Sequence, residues 1–384
     1  MTESPRRRRF LQTLAGGGLL ALAGCSSDDD PGTESDNPDN ESTDDPDDPG
    51  PIENTPTPPV VEDPPNAVYK PTHTNSVGMV EPVQAGDFQL LPHFTYPHRF
   101  WLVRGTELEE VEPIGNGLHL MLAFWDAQTG ESIPVDAGAT MTLRRDGEIV
   151  EPRFQPWPML SQQMGFHFGD NVPFTENGTY EVEVQMGPID ARKTGAFAGR
   201  FEEAVSTTFE LEFTRETQAT AALDVNYLDE SEWGEPGAVE PMGHGGMDGM
   251  DGMMADRPSV GLPPAEEYPG RDLGVAESDD AQFVVRYVEE SRLSPDGEGY
   301  LLVSPRTPYN RVPLPDMALT VEGAAEGDLR QTLDDELGHH YGLAATLESS
   351  DSLDIVVETP PQAARHQGYE TALLAMAPMT VEVE

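Results

Sequence analysis

The sequence predicts an all-β protein, two β-sandwich domains in tandem after a disordered acidic tether. Three observations lead there. Short runs rich in β-branched and aromatic residues recur between turn signals, no long stretch carries a 3.6-residue apolar period, and one block of sequence occurs twice.

The chain opens with "PRRRRFLQTLAGGGLLALAGC", an arginine cluster, a short Gly/Ala-rich apolar run and a cysteine. Arg7-Arg8-x-Phe10-Leu11 resembles a twin-arginine export motif, and Leu22-Ala23-Gly24-Cys25 resembles a lipobox. The apolar run is short for a membrane-spanning helix. Residues 1–25 therefore read as a lipoprotein signal of the Tat type. Cys25, the chain's single cysteine, is expected to carry the lipid that holds the mature protein to the outer side of the cell membrane, which leaves no thiol for a disulfide or a thiolate metal site.

Residues 26–65 have almost no large apolar side chains and many Asp, Pro and Ser. Such a segment cannot bury enough surface to fold and is expected to be a solvated tether. The whole chain has a formal charge of −48, and Lys70 and Lys193 are its two lysines. So acidic and lysine-poor a surface resembles the haloarchaeal strategy for staying dispersed in salt, and it excludes a phosphate-binding face for nucleic acid. Carboxylate runs in such a chain do not by themselves indicate calcium.

The first sandwich is assigned to residues 66–223, with strand candidates "DFQLLPHFTY", "GLHLMLAFWD", "ATMTLRRDG", "TYEVEVQM" and "STTFELEFT". The second is assigned to residues 276–384, with "AQFVVRY", "GYLLVSP", "MALTVEG", "YGLAATL", "LDIVVET" and "MTVEVE". Strict alternation in "TYEVEVQM" and "TFELEFT" is that of strands with one face in a core and one in water. Residues 224–275 form a linker or long loop rich in Met, Gly and Pro. In it Met242, His244, Met247, Met250, Met253 and Met254 recur at short spacing. Thioethers so spaced can converge on a soft ion such as Cu(I), whereas Asp248 and Asp251 would invite a harder one. A plain flexible linker is the other reading.

The repeat is carried by "MGFHFG" (Met164–Gly169) and "LGHHYG" (Leu337–Gly342). At an offset of 173, residues 165–195 run without a gap onto residues 338–368. Gly165, His167, Gly169, Val184, Pro188, Ala191, Arg192 and Gly195 meet identical residues, and Phe168 meets Tyr341.

With "PMLSQQMGFHFGDN", "ENGTYEVEVQMGP", "GHHYG" and "ARHQG", the chain resembles the periplasmic iron-transport-associated proteins, a copper- and iron-binding family found with high-affinity iron permeases. The pairing of two units resembles tandem haloarchaeal members. The resemblance implies immunoglobulin-like sandwiches and a small metal site built from a methionine, several histidines and an early-strand His-x-Glu. Carried over, it places Met159 and His167 in the first unit, with His93 at the early strand, Thr95 replacing the glutamate and Lys193 at the late histidine. In the second unit it places His340 and His366, with Thr332 or Leu333 where the methionine belongs, and His339 as a neighbour able to orient His340 or replace a ligand.

A cation beside a metal opposes its charge, so the second unit is expected to hold the better site. Three arrangements stand: ligands shared in an internal pseudo-dimer of the two units, a partial site in each unit, or no site. His98 and His119 read as core or sheet-face residues, and His73 as part of an extended lead-in. No helical His-Glu-x-x-His, no Gly-x-Ser-x-Gly elbow and no phosphate loop occurs, and no enzyme activity is expected. The resemblance implies an exported lipoprotein that binds iron or copper ions in support of metal uptake, with an iron permease as partner. The alternative is a cell-surface interaction module without a metal.

Overall fold

The computed structural model describes residues 56–215, 225–242, 260–294 and 298–383. The expected signal with Cys25, the tether before residue 56, and His244, Met247, Met250, Met253 and Met254 lie outside the described residues.

The first half of the chain contributes β1 (His73–Asn75), β2 (Gly78–Met79), β3 (Val83–Ala85), β4 (Phe88–Thr95) and β5 (Phe100–Arg104). After these come β6 (Glu107–Val111), β7 (Leu118–Asp126), β8 (Thr140–Arg145), β9 (Glu148–Phe154) and β10 (Trp157–Ser161). They are followed by β11 (Gly165–Val172), β12 (Gly178–Met186), β13 (Arg192–Lys193), β14 (Val205–Phe213) and β15 (Val225–Tyr227). The second half contributes β16 (Arg271–Ser278), β17 (Ala281–Val288), β18 (Tyr300–Arg306), β19 (Ala318–Gly323) and β20 (Gly327–Asp334). It ends with β21 (Gly338–Ala344), β22 (Ser352–Thr359), β23 (Ala364–Arg365) and β24 (Met379–Glu382).

The architecture is all-β and sandwich-like, consistent with immunoglobulin-like units. Along β12, Tyr180, Val182, Val184 and Met186 are buried while Glu181 is exposed, the alternation that the sequence carries. In the first half, the sheet β14-β12-β8-β9 faces the larger sheet β2-β4-β7-β11-β10, their inward residues sharing one core. In the second half, β20 pairs with β19 at its start and with β21 towards its end, so one strand passes from one sheet to the other.

The two halves are not closed units. β23 leaves the second half and lies parallel to β10 of the first, Met159 opposite Ala364 and Leu160 opposite Arg365, with Arg365 paired on its other side to Trp101 of β5. Reciprocally, β13 of the first half lies parallel to β20 of the second, with Arg192 opposite Thr332. Each half thus lends two residues of strand to a sheet of the other, at positions 172 residues apart, one short of the offset of the repeat.

The described chain also begins earlier than the expected sandwich boundary at residue 66. Thr72 Oγ1 donates to Pro59 O at 2.7 Å and Thr371 Oγ1 donates to Pro65 O at 2.7 Å, so the last residues of the tether are seated against both halves. Proline-rich chain can dock in this way because it offers carbonyl acceptors and few N–H groups that need partners. The second half likewise starts before residue 276, with β16 at Arg271, and β15 within the expected linker pairs with β1.

The exchanged strand β23 is followed by Gly368, at φ +97°, where an added Cβ would lie 2.5 Å from Tyr69 O and from Gln162 Nε2. Gly368→Ala is expected to lower stability by roughly 2–3 kcal/mol, read as a drop in the thermal midpoint. Gly199→Ala, at φ +77° with open space around it, should cost only the left-handed backbone, about 1 kcal/mol.

Candidate metal centre

Antiparallel register decides which side chains share a face, because directly opposed residues point to the same side of a sheet. Met159 of β10 faces His167 of β11, and Gly169 of β11 faces Met121 of β7. His119 lies two residues before Met121 and so on the same face. Gly169 is the gap between them: a Cβ there would lie 2.9 Å from His119 Nε2 and 3.0 Å from Met159 Sδ. Only glycine fits, and the two donors flank one small space.

His98, in the turn after β4, and His366, delivered by the exchanged strand β23, close over this face. His98, His119 and His366 each offer a nitrogen within 4.8 Å of the others. The His98 and His119 ring centroids are 4.0 Å apart, and His366 stacks on His167 at 5.3 Å and 27°. A surface pocket lined by Pro56, His73, His98, Gln162, His366 and Gln367 leads from solvent to the cluster.

The hydrogen bonds present a consistent set of tautomers. His119 Nδ1 lies 3.0 Å from Asn171 Oδ1 and His167 Nδ1 lies 3.2 Å from Gly165 O, so both donate from Nδ1. His98 Nδ1 lies 3.2 Å from Tyr96 O, which leaves its Nε2 to accept from His366 Nδ1 at 3.1 Å. The Nε2 atoms of His119, His167 and His366 are buried without a hydrogen-bond partner. Three buried acceptors left unmade would each carry a desolvation penalty, which a bound cation removes.

Asn171 ties the arrangement together. Its Nδ2 donates to His98 O at 2.9 Å, and its Oδ1 accepts from His98 N at 3.2 Å besides the His119 ring. Burial pushes the His98 and His167 imidazoles down to about 4, and those of His119 and His366 well below their usual 6.5, with neighbouring imidazoles adding to the effect at His119, His167 and His366. Neutral imidazole is the form that binds metal.

The structure gathers Met159, His167 and His366 with two histidines, His98 and His119, that sequence reading assigned to the core or a sheet face. His119 is indeed on a sheet face, but that face is the centre. His93, expected to be the early-strand ligand, lies on β4 opposite Met121, while Thr95 is the residue opposite His119. The histidine of these strands that joins the cluster is His119 and not His93.

Lys193 is also displaced from its expected place. The strand exchange carries it to the second half, beside Leu333, where its Nζ donates to Ile189 O at 2.7 Å. The cation expected to oppose the first unit's site thus lies along a strand of the second half, and the histidines that cluster among the described residues are not those around His340.

There, Thr332 faces His340 as Met159 faces His167, and Tyr300 takes the register position of His119. Tyr300 Oη lies 3.2 Å from His340 Nε2, which satisfies the nitrogen that stays unpartnered in His167. His339 points to the opposite face, its Nε2 3.1 Å from the Gln331 amide. Neither His339 nor His340 joins the cluster.

Sequence comparison matches residues 266–382 to a family model described as "Domain of unknown function (DUF7350)". No curated protein matches the chain. Among solved structures, a copper-bound variant of FetP from uropathogenic Escherichia coli strain F11 is similar at 18% identity and a TM-score of 0.28. It covers 36% of this chain and 97% of that one. FetP of the same strain in its as-isolated form is similar at 19% identity and a TM-score of 0.26, over 37% of this chain and 96% of that one.

Between about 6.5 and about 4, the unfolded chain binds protons that the folded imidazoles of His98 and His167 refuse, so their contribution to stability is full above 6.5 and declines as pH falls through this window. Burial of Asp170 and Asp316, raised to about 7, acts in the opposite sense. The imidazoles are therefore best read directly. Nitrogen NMR at about pH 5.5 should show His98 and His167 neutral with the proton on Nδ1, a pH at which an unperturbed histidine is mostly charged; protonation near 6.5 would contradict the buried geometry.

Proposed function

We propose that this protein is an exported lipoprotein that holds one transition-metal ion outside the membrane in support of metal uptake. The observation that carries the reading is the arrival of His366, from the second half, among His98, His119, His167 and Met159 of the first. His119, His167 and His366 would hold the ion through Nε2 and Met159 through Sδ. His98 and Asn171 orient the rings, the role that outer partners play at histidine metal sites.

Iron and copper are the ions that the family resemblance implies, and the donor set favours copper. Imidazole with thioether suits copper, whereas iron is better served by imidazole with carboxylate. Among the described residues the cluster includes no carboxylate. Uncharged ligands in a buried site also tolerate a singly charged ion more easily than a doubly charged one. An iron permease is the transport partner that this reading implies, and Cys25 its anchor to the membrane.

Copper(II) titration of the full chain tests the centre, because isolated thioethers elsewhere in the chain bind that oxidation state weakly. The expected result is one tight equivalent, lost in His366→Ala and His119→Ala and kept in His340→Ala. Asn171→Ala should weaken it by about 10–100-fold, as removal of an outer partner does. Undiminished binding in His366→Ala would sink the shared site.

The anchor is tested separately. Cys25→Ser should abolish incorporation of labelled lipid and release the protein from the membrane fraction. Unchanged membrane association would refute lipidation at that residue.

A further inference from the structure

One row of side chains beside the centre is not used by it. Met79 of β2 faces His93 of β4, and His93 faces Met121 of β7, so the three stand in line on one sheet face. Met121 in turn faces Gly169, the gap that separates this row from Met159 and His119. Met164, in the turn joining β10 to β11, and Met242, whose N–H donates to Gln163 O at 2.9 Å, pack against the same row.

The packing is unusual in composition. The cluster consists of Met121, Met164 and Val77, all buried, with the half-buried Met79 and Met242 against them, so four of its five members are methionine. The main core of the protein is filled mostly by Val, Leu, Ile and Phe, whose rotamers specify a shape better than methionine does. His93 is fully buried beside these thioethers, and its Nδ1 lies 3.0 Å from Leu91 O, which orients the ring. Half-buried Met79 and Met242 place thioethers at the edge of the patch, towards solvent.

We propose that Met79, Met121, Met164 and Met242, with His93, form a second site, selective for a soft monovalent cation such as Cu(I). Thioethers are uncharged and polarisable, so several of them around a singly charged soft ion avoid the cost of burying like charges and exclude hard divalent ions. The row and the histidine centre lie on one face, adjoining at Gly169. A soft ion admitted at the methionine edge therefore has a continuous donor path of Met121, Met159 and His119 to follow. The inference rests on residues other than the histidine ligands and stands or falls apart from the function proposed above.

Silver(I) is the probe, because it shares the soft monovalent chemistry without redox change. Native mass spectrometry would count Ag(I) bound to the full chain in a background where Met247, Met250, Met253 and Met254 are leucine, so that only sites in the described fold are scored. The expected result is one equivalent fewer in Met121→Leu/Met164→Leu than in the parent, with the Cu(II) equivalent of the histidine centre retained. Leucine is close to methionine in volume and such exchanges cost below about 1.5 kcal/mol, so the thermal midpoint should hold.

Equal Ag(I) counts in the two proteins overturn the proposal. Should the double variant fail to fold, X-ray absorption at the silver edge of the His366→Ala protein decides. Two or more sulfur neighbours support the site, and a shell of nitrogen and oxygen alone refutes it.

Discussion

The pairing of β23 with β10 is the interaction on which the rest depends. Two residues of parallel strand, Ala364 and Arg365 against Met159 and Leu160, fasten the end of the second half onto a sheet of the first. His366 then bonds its own N–H to Leu160 O at 3.1 Å, which sets its ring over His167. Without this pairing the first half would hold His98, His119, His167 and Met159 around an open side. The reciprocal pairing of β13 with β20 does the same for the second half, but it delivers Lys193. One backbone exchange, made twice, therefore yields two chemically unlike positions.

The unlikeness reads as physical chemistry residue by residue. A buried imidazole nitrogen needs a partner. At His340 the partner is the Tyr300 hydroxyl, from the strand position that His119 holds in the other half. At His167, His119 and His366 the protein supplies none to Nε2, while it satisfies every Nδ1 of the four clustered rings. The Nε2 atoms left over at His119, His167 and His366 fall in a single cluster, where the proposed ion would take them as ligands.

Strand placement, the duplicated block and the ligand types were legible in the sequence, since each rests on local pattern. Alternation in "TYEVEVQM" needs only its own eight residues, and the repeat needs only a fixed offset. Met159, His167 and His366 were found by motif. His98 and His119 were not, because what brings them into the cluster is register: His119 is two residues from the partner of Gly169, and His98 is held by Asn171 from another strand. Nor does any local signal say that residues 364–366 pair outside their own half. That single unseen exchange accounts for the misplacement of Lys193 and for the preference given to His340. The Asn171 of "GDN" was in plain view, but its role depends on two partners 52 and 73 residues away.

Charge bears on what the proposed site would select. The surface is strongly acidic, with a formal charge of −48, so cations of every kind are drawn towards it. Such a field cannot discriminate between a hard and a soft ion. In the proposed function discrimination would fall to the interior, where burial keeps the imidazoles neutral and where thioether stands in place of carboxylate. Hard divalent ions would meet their preferred ligands on the outside and lose hydration without replacement on the inside. A soft ion gains only on entering. Under the proposed function the acidic exterior and the neutral centre would act in sequence, the first raising local cation concentration and the second choosing among what arrives.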